Sequence, residues 1–217
     1  MKKLSFLIAF ILTLSLFLCS AASADVITAL ATEINPEHLE KTASYARILG
    51  YNEKENTLTV QLIVPEIFSW EDVEALKVGD SIYTDGREVT IETIAKQDNW
   101  GDYIKINDGS VNLSRRSDDS GDFAAVSEWD DAYTWIELAV IECPVKDSLL
   151  FLDYINDETG NMLELPVVHT ARELTARLLE EDATEAFGVG FTADNVYVVF
   201  DGEGNLATIH RFYVPWQ

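Results

Sequence analysis

The chain has 217 residues, 47% of them hydrophobic, and carries 38 acidic against 15 basic side chains, a formal net charge of −23 at pH 7. This excess of negative charge excludes the phosphate attraction on which nucleic-acid-binding proteins depend, and it disfavours binding to anionic membrane surfaces. The acidic residues are spread along the chain, so they predict a solvated, self-repelling surface rather than an acidic tail.

Residues 1–24 have the pattern of a secretory signal peptide. Two lysines precede an apolar run from Leu4 to Leu18, and small residues end the segment at Ala22-Ser23-Ala24. Cleavage after Ala24 would remove the two lysines and change the balance to 13 − 38 = −25. We therefore expect a protein that is secreted or held in the cell envelope, outside the cytoplasm, with no membrane span once the signal is removed.

Two alternatives concern the same segment. An uncleaved membrane anchor is disfavoured because the apolar run falls short of the roughly 20 residues that span a bilayer. Lipid attachment at Cys19 is disfavoured because Leu18 stands where a small residue is expected. Without Cys19 the only cysteine is Cys143, which excludes an internal disulfide and is expected to be a half-buried strand thiol.

Residues 25–131 are predicted to form an antiparallel, barrel-like β domain. The segments 44–51 and 57–64 alternate or are rich in β-branched residues, and the polar turn between them predicts a hairpin. Ser69 followed by Asp72 predicts a short helix near 69–77. Asp85-Gly86 predicts a second hairpin, because a tight two-residue turn needs positive φ at both positions. Further strands are expected within 101–108 and at 110–114, whereas 115–131 is expected to be a long loop or a seam between units.

Residues 132–217 are predicted to form an α+β domain of hairpins packed by one helix. The run at 134–143 is predicted to be a strand, and the segments around Gly160-Asn161 and 201–205 are predicted to be hairpins with their turns. Thr170 and Glu173 form a capping box in sequence and predict a helix over 170–182. The predicted fold class is therefore a β-dominated α+β protein, with a barrel-like N-terminal region and a C-terminal sheet of hairpins.

Aromatic residues beside acidic ones are the main candidates for binding. A flat apolar ring flanked by hydrogen-bond acceptors suits a sugar ring or an extended peptide, although large rings also close off the ends of a β core. We expect a non-enzymatic binding module with a protein, peptide or glycan as its ligand. The candidate binding residues are Trp100, Tyr103, Trp129, Tyr133 and Trp135.

The alternative function is an extracytoplasmic hydrolase. Such a site would need His169, His210 and acids of the 115–131 loop to converge, because no catalytic motif is present in the sequence and no catalytic residue is predicted. No cofactor is predicted either. Weak calcium candidates are Asp118, Asp119 and Asp122, which cluster oxygen ligands in one turn but lack the twelve-residue calcium-loop pattern.

Overall fold

A computed structural model of the chain describes residues 25–30, 34–97, 103–127, 132–156, 161–179 and 195–212. The structure is rich in strands and has few helices, which confirms the β-dominated class. The strands are β1 (Val26–Thr28), β2 (Ala43–Asn52), β3 (Thr57–Pro65), β4 (Ile67–Phe68), β5 (Ser81–Thr84), β6 (Arg87–Thr90), β7 (Ile94–Gln97), β8 (Tyr103–Ile106), β9 (Val111–Arg115), β10 (Phe123–Val126), β11 (Trp135–Pro144), β12 (Leu150–Ile155), β13 (Met162–Thr170), β14 (Val196–Phe200) and β15 (Leu206–Arg211). The helices are α1 (Trp70–Ala75) and α2 (Ala171–Leu179), and a 3-10 turn spans Asn107–Gly109.

The largest sheet has seven strands in the order β11-β3-β2-β14-β15-β12-β13. Neighbours are antiparallel except β12 and β15, which run parallel, so the sheet is mixed rather than built from antiparallel hairpins alone. One face is covered by α2, whose Leu174 is fully buried with Phe151 of β12 and Ile209 of β15. Burial of these apolar side chains is the main force that holds the helix on the sheet.

Two smaller sheets share a second core. Their orders are β1-β5-β6 and β4-β10-β9-β8-β7, and the β1–β5 pair is parallel. Phe68, Ile82, Ile104 and Phe123 meet in this core and are at most 2% exposed. The described strands do not close into a barrel.

The sheets do not follow the expected division at Asp131. Strands β2 and β3 come from the N-terminal part of the sequence, yet they pair with β14 and β11 in the middle of the seven-stranded sheet. The hydrophobic pattern of a strand shows that it is buried, but it does not show which distant strand it will pair with.

The expected loop at 115–131 contains a strand. All four residues of β10 are buried, and β10 pairs with β9 on one side and β4 on the other. A strand that is covered on both faces is a short apolar run and does not alternate between apolar and polar residues. The run Phe-Ala-Ala-Val is only four residues long and stands among acidic residues, so its pattern does not indicate a buried strand.

Several local predictions are confirmed. The hairpin of β2 and β3 is present, and Asp85 and Gly86 form the β5–β6 turn with φ of 50° and 69°. Ser69 caps α1 by accepting a hydrogen bond from the Asp72 amide. Thr170 and Glu173 make the reciprocal bonds of a capping box at α2, which ends its described range at Leu179, while residues 180–182 lie outside the described residues.

A buried ion cluster fastens α2 to the sheet. Asp153 is 1% exposed and accepts from Arg211 Nε at 3.0 Å and Arg177 Nη1 at 2.8 Å. Both guanidinium groups lie beside the Phe151 ring, at 5.8 Å and 5.9 Å from its centre. Because the two arginines come from β15 and α2, one carboxylate joins three elements.

Candidate aromatic binding face

The face of the seven-stranded sheet that points away from α2 carries one row of side chains in register. Adjacent strands place directly paired residues side by side, and paired residues share a face. The alternate positions on these strands, such as Ala46 and Val198, point into the core with Leu174. In order from β13 to β11 the row is Val168, Leu152, His210, Tyr197, Tyr45, Ile63 and Glu137.

Aromatic rings in and beside this row form an unbroken series of contacts. Tyr45 is its centre, with ring centroids 5.0 Å from Trp135 and 5.3 Å from Tyr197. The series continues at both ends, from Trp135 to Tyr133 at 5.7 Å and from Tyr197 to His210 at 6.3 Å. Most of these pairs are tilted or edge-to-face, the arrangement that the ring quadrupoles favour.

Tyr154 and Phe212 complete the surface. Tyr154 stacks on His210 at 6.4 Å, and Phe212 meets Tyr45 edge-on at 6.0 Å. We name this surface the aromatic face and define it as Tyr45, Tyr133, Trp135, Tyr154, Tyr197, His210 and Phe212. It reaches from the start of β11 to β12, across six neighbouring strands of the sheet.

An apolar groove of about 290 Å³ lies within the aromatic face. Met162 of the edge strand β13 borders it and is 62% exposed, while Tyr133 at the other end of the face is 40% exposed. The rings between them are half-buried. The groove is lined by Tyr45, Tyr154, Met162, Tyr197, His210 and Phe212.

The surroundings of Tyr45 and His210 shift the pKa of each side chain toward its uncharged form. Burial raises the pKa of Tyr45, and the neighbouring hydroxyls of Tyr133 and Tyr197 raise it further, against a smaller opposite effect of Arg116. Burial lowers the pKa of His210 below its ordinary value of 6.5, so the imidazole is mostly uncharged at neutral pH. The aromatic face, which contains no Asp, Glu, Lys or Arg, therefore lies on a protein of strongly negative net charge.

The structure assembles part of the predicted binding set. Tyr133 and Trp135 belong to the aromatic face, whereas Tyr103 lies on β8 of the five-stranded sheet, paired with Ser114. Trp100 and Trp129 lie outside the described residues. The sequence reasoning missed Tyr45 and Tyr197, although each occupies an outward position in an alternating strand, and that alternation could have found them.

The two histidines of the alternative hydrolase site lie on opposite faces of the sheet. His169 pairs with Phe151 and stacks on that ring at 5.5 Å, on the side of the core. His210 pairs with Leu152 and stacks on Tyr154, on the other side. A shared site for general acid–base chemistry needs both groups within reach of one substrate, so this pair does not form one.

The calcium candidates take part in local turn contacts. Asp118 accepts from the backbone amide and the hydroxyl of Ser120, which lowers the pKa of the carboxyl, and it pairs with Arg116 at 2.6 Å. Asp122 accepts from the amide of Trp70 at 3.2 Å, and Asp119 lies in the same turn as Asp118. Within the described ranges, no three His, Cys, Asp or Glu side chains are grouped so that they could hold a metal ion.

Comparison with family models, with curated proteins and with solved structures finds no match for this chain. Across the residues that the structure describes, no helix has the length and apolar character needed to cross a bilayer. The fold and the site together define a β-rich protein with an open aromatic sheet face.

Proposed function

We propose that this protein is a secreted or cell-envelope binding module that holds a peptide or protein segment on its aromatic face. The observation that carries the proposal is the unbroken series of five ring contacts that joins six rings, from Tyr133 through Trp135, Tyr45, Tyr197 and His210 to Tyr154. Aromatic side chains dominate binding energy at interfaces because they bury large areas with few rotatable bonds.

The exposure of this surface favours a binding role over simple closure of the core. The core on the other side of the sheet is complete without these rings, since its own residues are almost fully buried. A contiguous apolar patch rimmed by polar residues marks an interaction site more often than a scattered exposed ring does. Met162 and Val168 extend the apolar surface to the sheet edge and are 62% and 59% exposed.

Charge and ring chemistry together indicate the partner. The protein carries a net charge of −23, so a positively charged partner is attracted at long range and an acidic one is repelled. At short range the faces of tyrosine and tryptophan rings attract lysine and arginine side chains. Arg116, whose positive charge lowers the pKa of Tyr45, is already paired with Asp118. The proposed partner is therefore an extended segment with basic and apolar side chains.

The location belongs to the same proposal. The signal-like pattern of residues 1–24 supports export, and cleavage after Ala24 would leave Asp25 as the first residue. Expression of the full chain followed by N-terminal sequencing of the exported protein is expected to start at Asp25. Recovery of the protein in the cytoplasm with its first 24 residues intact would contradict the proposed location.

The smaller sheets complete the architecture that we propose. We infer a barrel-like arrangement of β1, β5 and β6 with the five-stranded sheet, because side chains from both sheets fill one core. In this arrangement the smaller unit supports one end of the aromatic face, since Tyr133 forms a bridge with Val126 of β10.

A display library of linear peptides, selected on the immobilised mature protein, tests the binding role. We expect enriched peptides to combine lysine or arginine with apolar residues and to bind more weakly as salt is added. The variant Tyr45→Ala/Tyr197→Ala is expected to lose at least about tenfold in affinity, since such rings typically contribute ~2 kcal/mol or more at an interface.

The matched control is Tyr83→Ala, which removes an exposed tyrosine from β5, outside the aromatic face. Each variant is first melted, so that loss of the fold is separated from loss of binding. If the double variant and the control bind the selected peptides with equal affinity, the aromatic face is not the binding site. Enrichment of acidic peptides would overturn the charge argument, and binding of neutral polysaccharides alone would assign the face to glycans.

A further inference from the structure

A second concave site lies at the seam between the seven-stranded sheet and the smaller unit. The cleft has a volume of about 500 Å³, within the usual range for small-molecule sites. Its lining is polar, in contrast to the groove of the aromatic face. The residues on which the argument depends are Arg47, Asp85, Arg87, Asn112, Trp135 and Glu137.

The wall formed by the β5–β6 hairpin is held in place by a buried carboxylate. Glu66 lies between β3 and β4 and is 5% exposed. It accepts a hydrogen bond from the Thr84 hydroxyl and others from the Asp85 amide, at 3.0 Å and 3.2 Å. Backbone bonds join Glu66 to Thr134, the residue before β11, and to Ala125 of β10. The tip of the hairpin is therefore held against the seam by hydrogen bonds, so this wall of the cleft is already formed without a ligand.

Two buried polar atoms of residues that line the cleft have no hydrogen-bond partner among the described residues. They are Oδ1 of Asn112, a residue that is 4% exposed, and Nε1 of Trp135. The amide nitrogen of Asn112 donates to the Gly109 carbonyl at 3.1 Å, which leaves Oδ1 as the acceptor that needs a donor. Buried polar groups in folded proteins are almost always paired, so an unpaired acceptor and an unpaired donor beside one cleft point to a ligand.

The charges in the cleft cancel. Arg47 is paired with Glu137 at 2.8 Å, and the hairpin contributes Arg87 and Asp85, one residue of each sign. An anion would be repelled by the net charge of the protein, and a cation finds no excess of carboxylates in the lining. The cleft is therefore suited to a neutral ligand that can both donate and accept hydrogen bonds.

We propose that this cleft binds a small, neutral, hydroxyl-rich ligand of the mono- or disaccharide class. A hydroxyl group donates one hydrogen bond and accepts others, so ligand hydroxyls can satisfy both Asn112 Oδ1 and Trp135 Nε1. Carboxylate and guanidinium groups of the rim supply further partners for neighbouring hydroxyls. Both unpaired atoms are shielded from solvent, so binding requires a small rotation of the Asn112 and Trp135 side chains toward the cleft.

This site is distinct from the peptide site proposed above, although Trp135 contributes to both. Its ring packs on Tyr45 in the aromatic face, and its indole nitrogen belongs to the polar cleft. Trp135→Phe keeps a ring for the aromatic face and removes the nitrogen. Failure of one site therefore does not imply failure of the other.

The test is a titration of the ¹⁵N-labelled mature protein with glucose, N-acetylglucosamine and cellobiose. We expect at least one sugar to shift the indole N–H signal of Trp135, which is assigned by its loss in Trp135→Phe. Calorimetry with the same sugar should show about tenfold weaker binding for Trp135→Phe and for Asn112→Ala, the loss expected for one hydrogen bond. Tyr197→Ala, on the aromatic face, should bind the sugar like the wild type.

Melting curves confirm that each variant is folded, and the two cleft variants serve as independent checks. Absence of any shift at the Trp135 indole with all three sugars would overturn the proposal. So would a sugar that binds Trp135→Phe and Asn112→Ala as tightly as the wild type, or one whose binding is lost only in Tyr197→Ala.

Discussion

Replacing Asp153 by asparagine should remove much of the stability of the seven-stranded sheet. Asparagine keeps the shape of the side chain but not its charge, and the carboxylate is 1% exposed with Arg211 and Arg177 on its oxygens. Removing one member of a buried ion pair typically costs ~3–5 kcal/mol, because the remaining charge stays buried without compensation. We expect the lower part of that range, about 3 kcal/mol, since the Arg177 side chain is 23% exposed and partly reaches water.

Urea unfolding at pH 7 measures the loss. With a slope near ~2 kcal/mol/M, the midpoint should fall by about 1.5 M. Arg177→Met is the milder control, with an expected loss of about 1 kcal/mol, because Arg177 is the partly exposed partner and Arg211 stays on the carboxylate. The double variant Asp153→Leu/Arg211→Met replaces the pair by apolar groups and should be less damaged than Asp153→Asn. A loss below about 1 kcal/mol for Asp153→Asn, or a double variant less stable than the single one, would refute the reasoning.

Three further predictions concern single residues. Burial lowers the pKa of His210 below 6.5 in the folded protein. The unfolded chain therefore takes up the proton first, and the free energy of unfolding should be highest above pH 6.5 and fall as the pH drops through that value toward the folded pKa. His210→Asn should show a shallower fall in urea unfolding between pH 7.5 and 5, and identical slopes would contradict this. Burial, with Glu142 adding, raises the pKa of Cys143 to about 11, so a colorimetric thiol reagent should react slowly with the native protein and fast in urea; rapid labelling of the native form would count against it. Gly86 has φ of +69°, so Gly86→Ala should cost ~1–2 kcal/mol of unfolding free energy, whereas Gly50→Ala, where an added Cβ meets nothing within 4 Å, should change it by less than about 0.5 kcal/mol. Equal effects of the two alanines would show that backbone strain is not the cause.

Short-range features could be predicted well. The Asp85-Gly86 turn, the Ser69 cap of α1 and the Thr170–Glu173 capping box depend on contacts within four residues, and all three are present. The alternating strands around them were also recognised, because a period of two reports which face of a strand is buried. Strand β10 was missed, since a strand covered on both faces has no alternation to recognise.

The candidate site was only partly predictable. Tyr133 and Trp135 were chosen because acidic neighbours suggested exposure, and both are in the aromatic face. Alternation places Tyr45 and Tyr197 on the outward side of their strands, but their separation of about 150 residues in sequence gives no sign that they are paired in register on adjacent strands. The same limit explains His169 and His210, whose opposite faces follow from the pairing of β12 with β13 and β15.

Composition and local sequence patterns are enough to predict the β-rich class, the turns and caps and the sign of the net charge, and they also predict an export signal at residues 1–24. Two features are visible only in the tertiary structure. Strands β2 and β3 lie in the same sheet as the C-terminal strands, and Tyr45, Tyr197 and His210 form one row. The physical reason is the range of the interactions. A turn or a helix cap is set by neighbours in the chain, whereas sheet order and register depend on which distant strands bury the most apolar surface together.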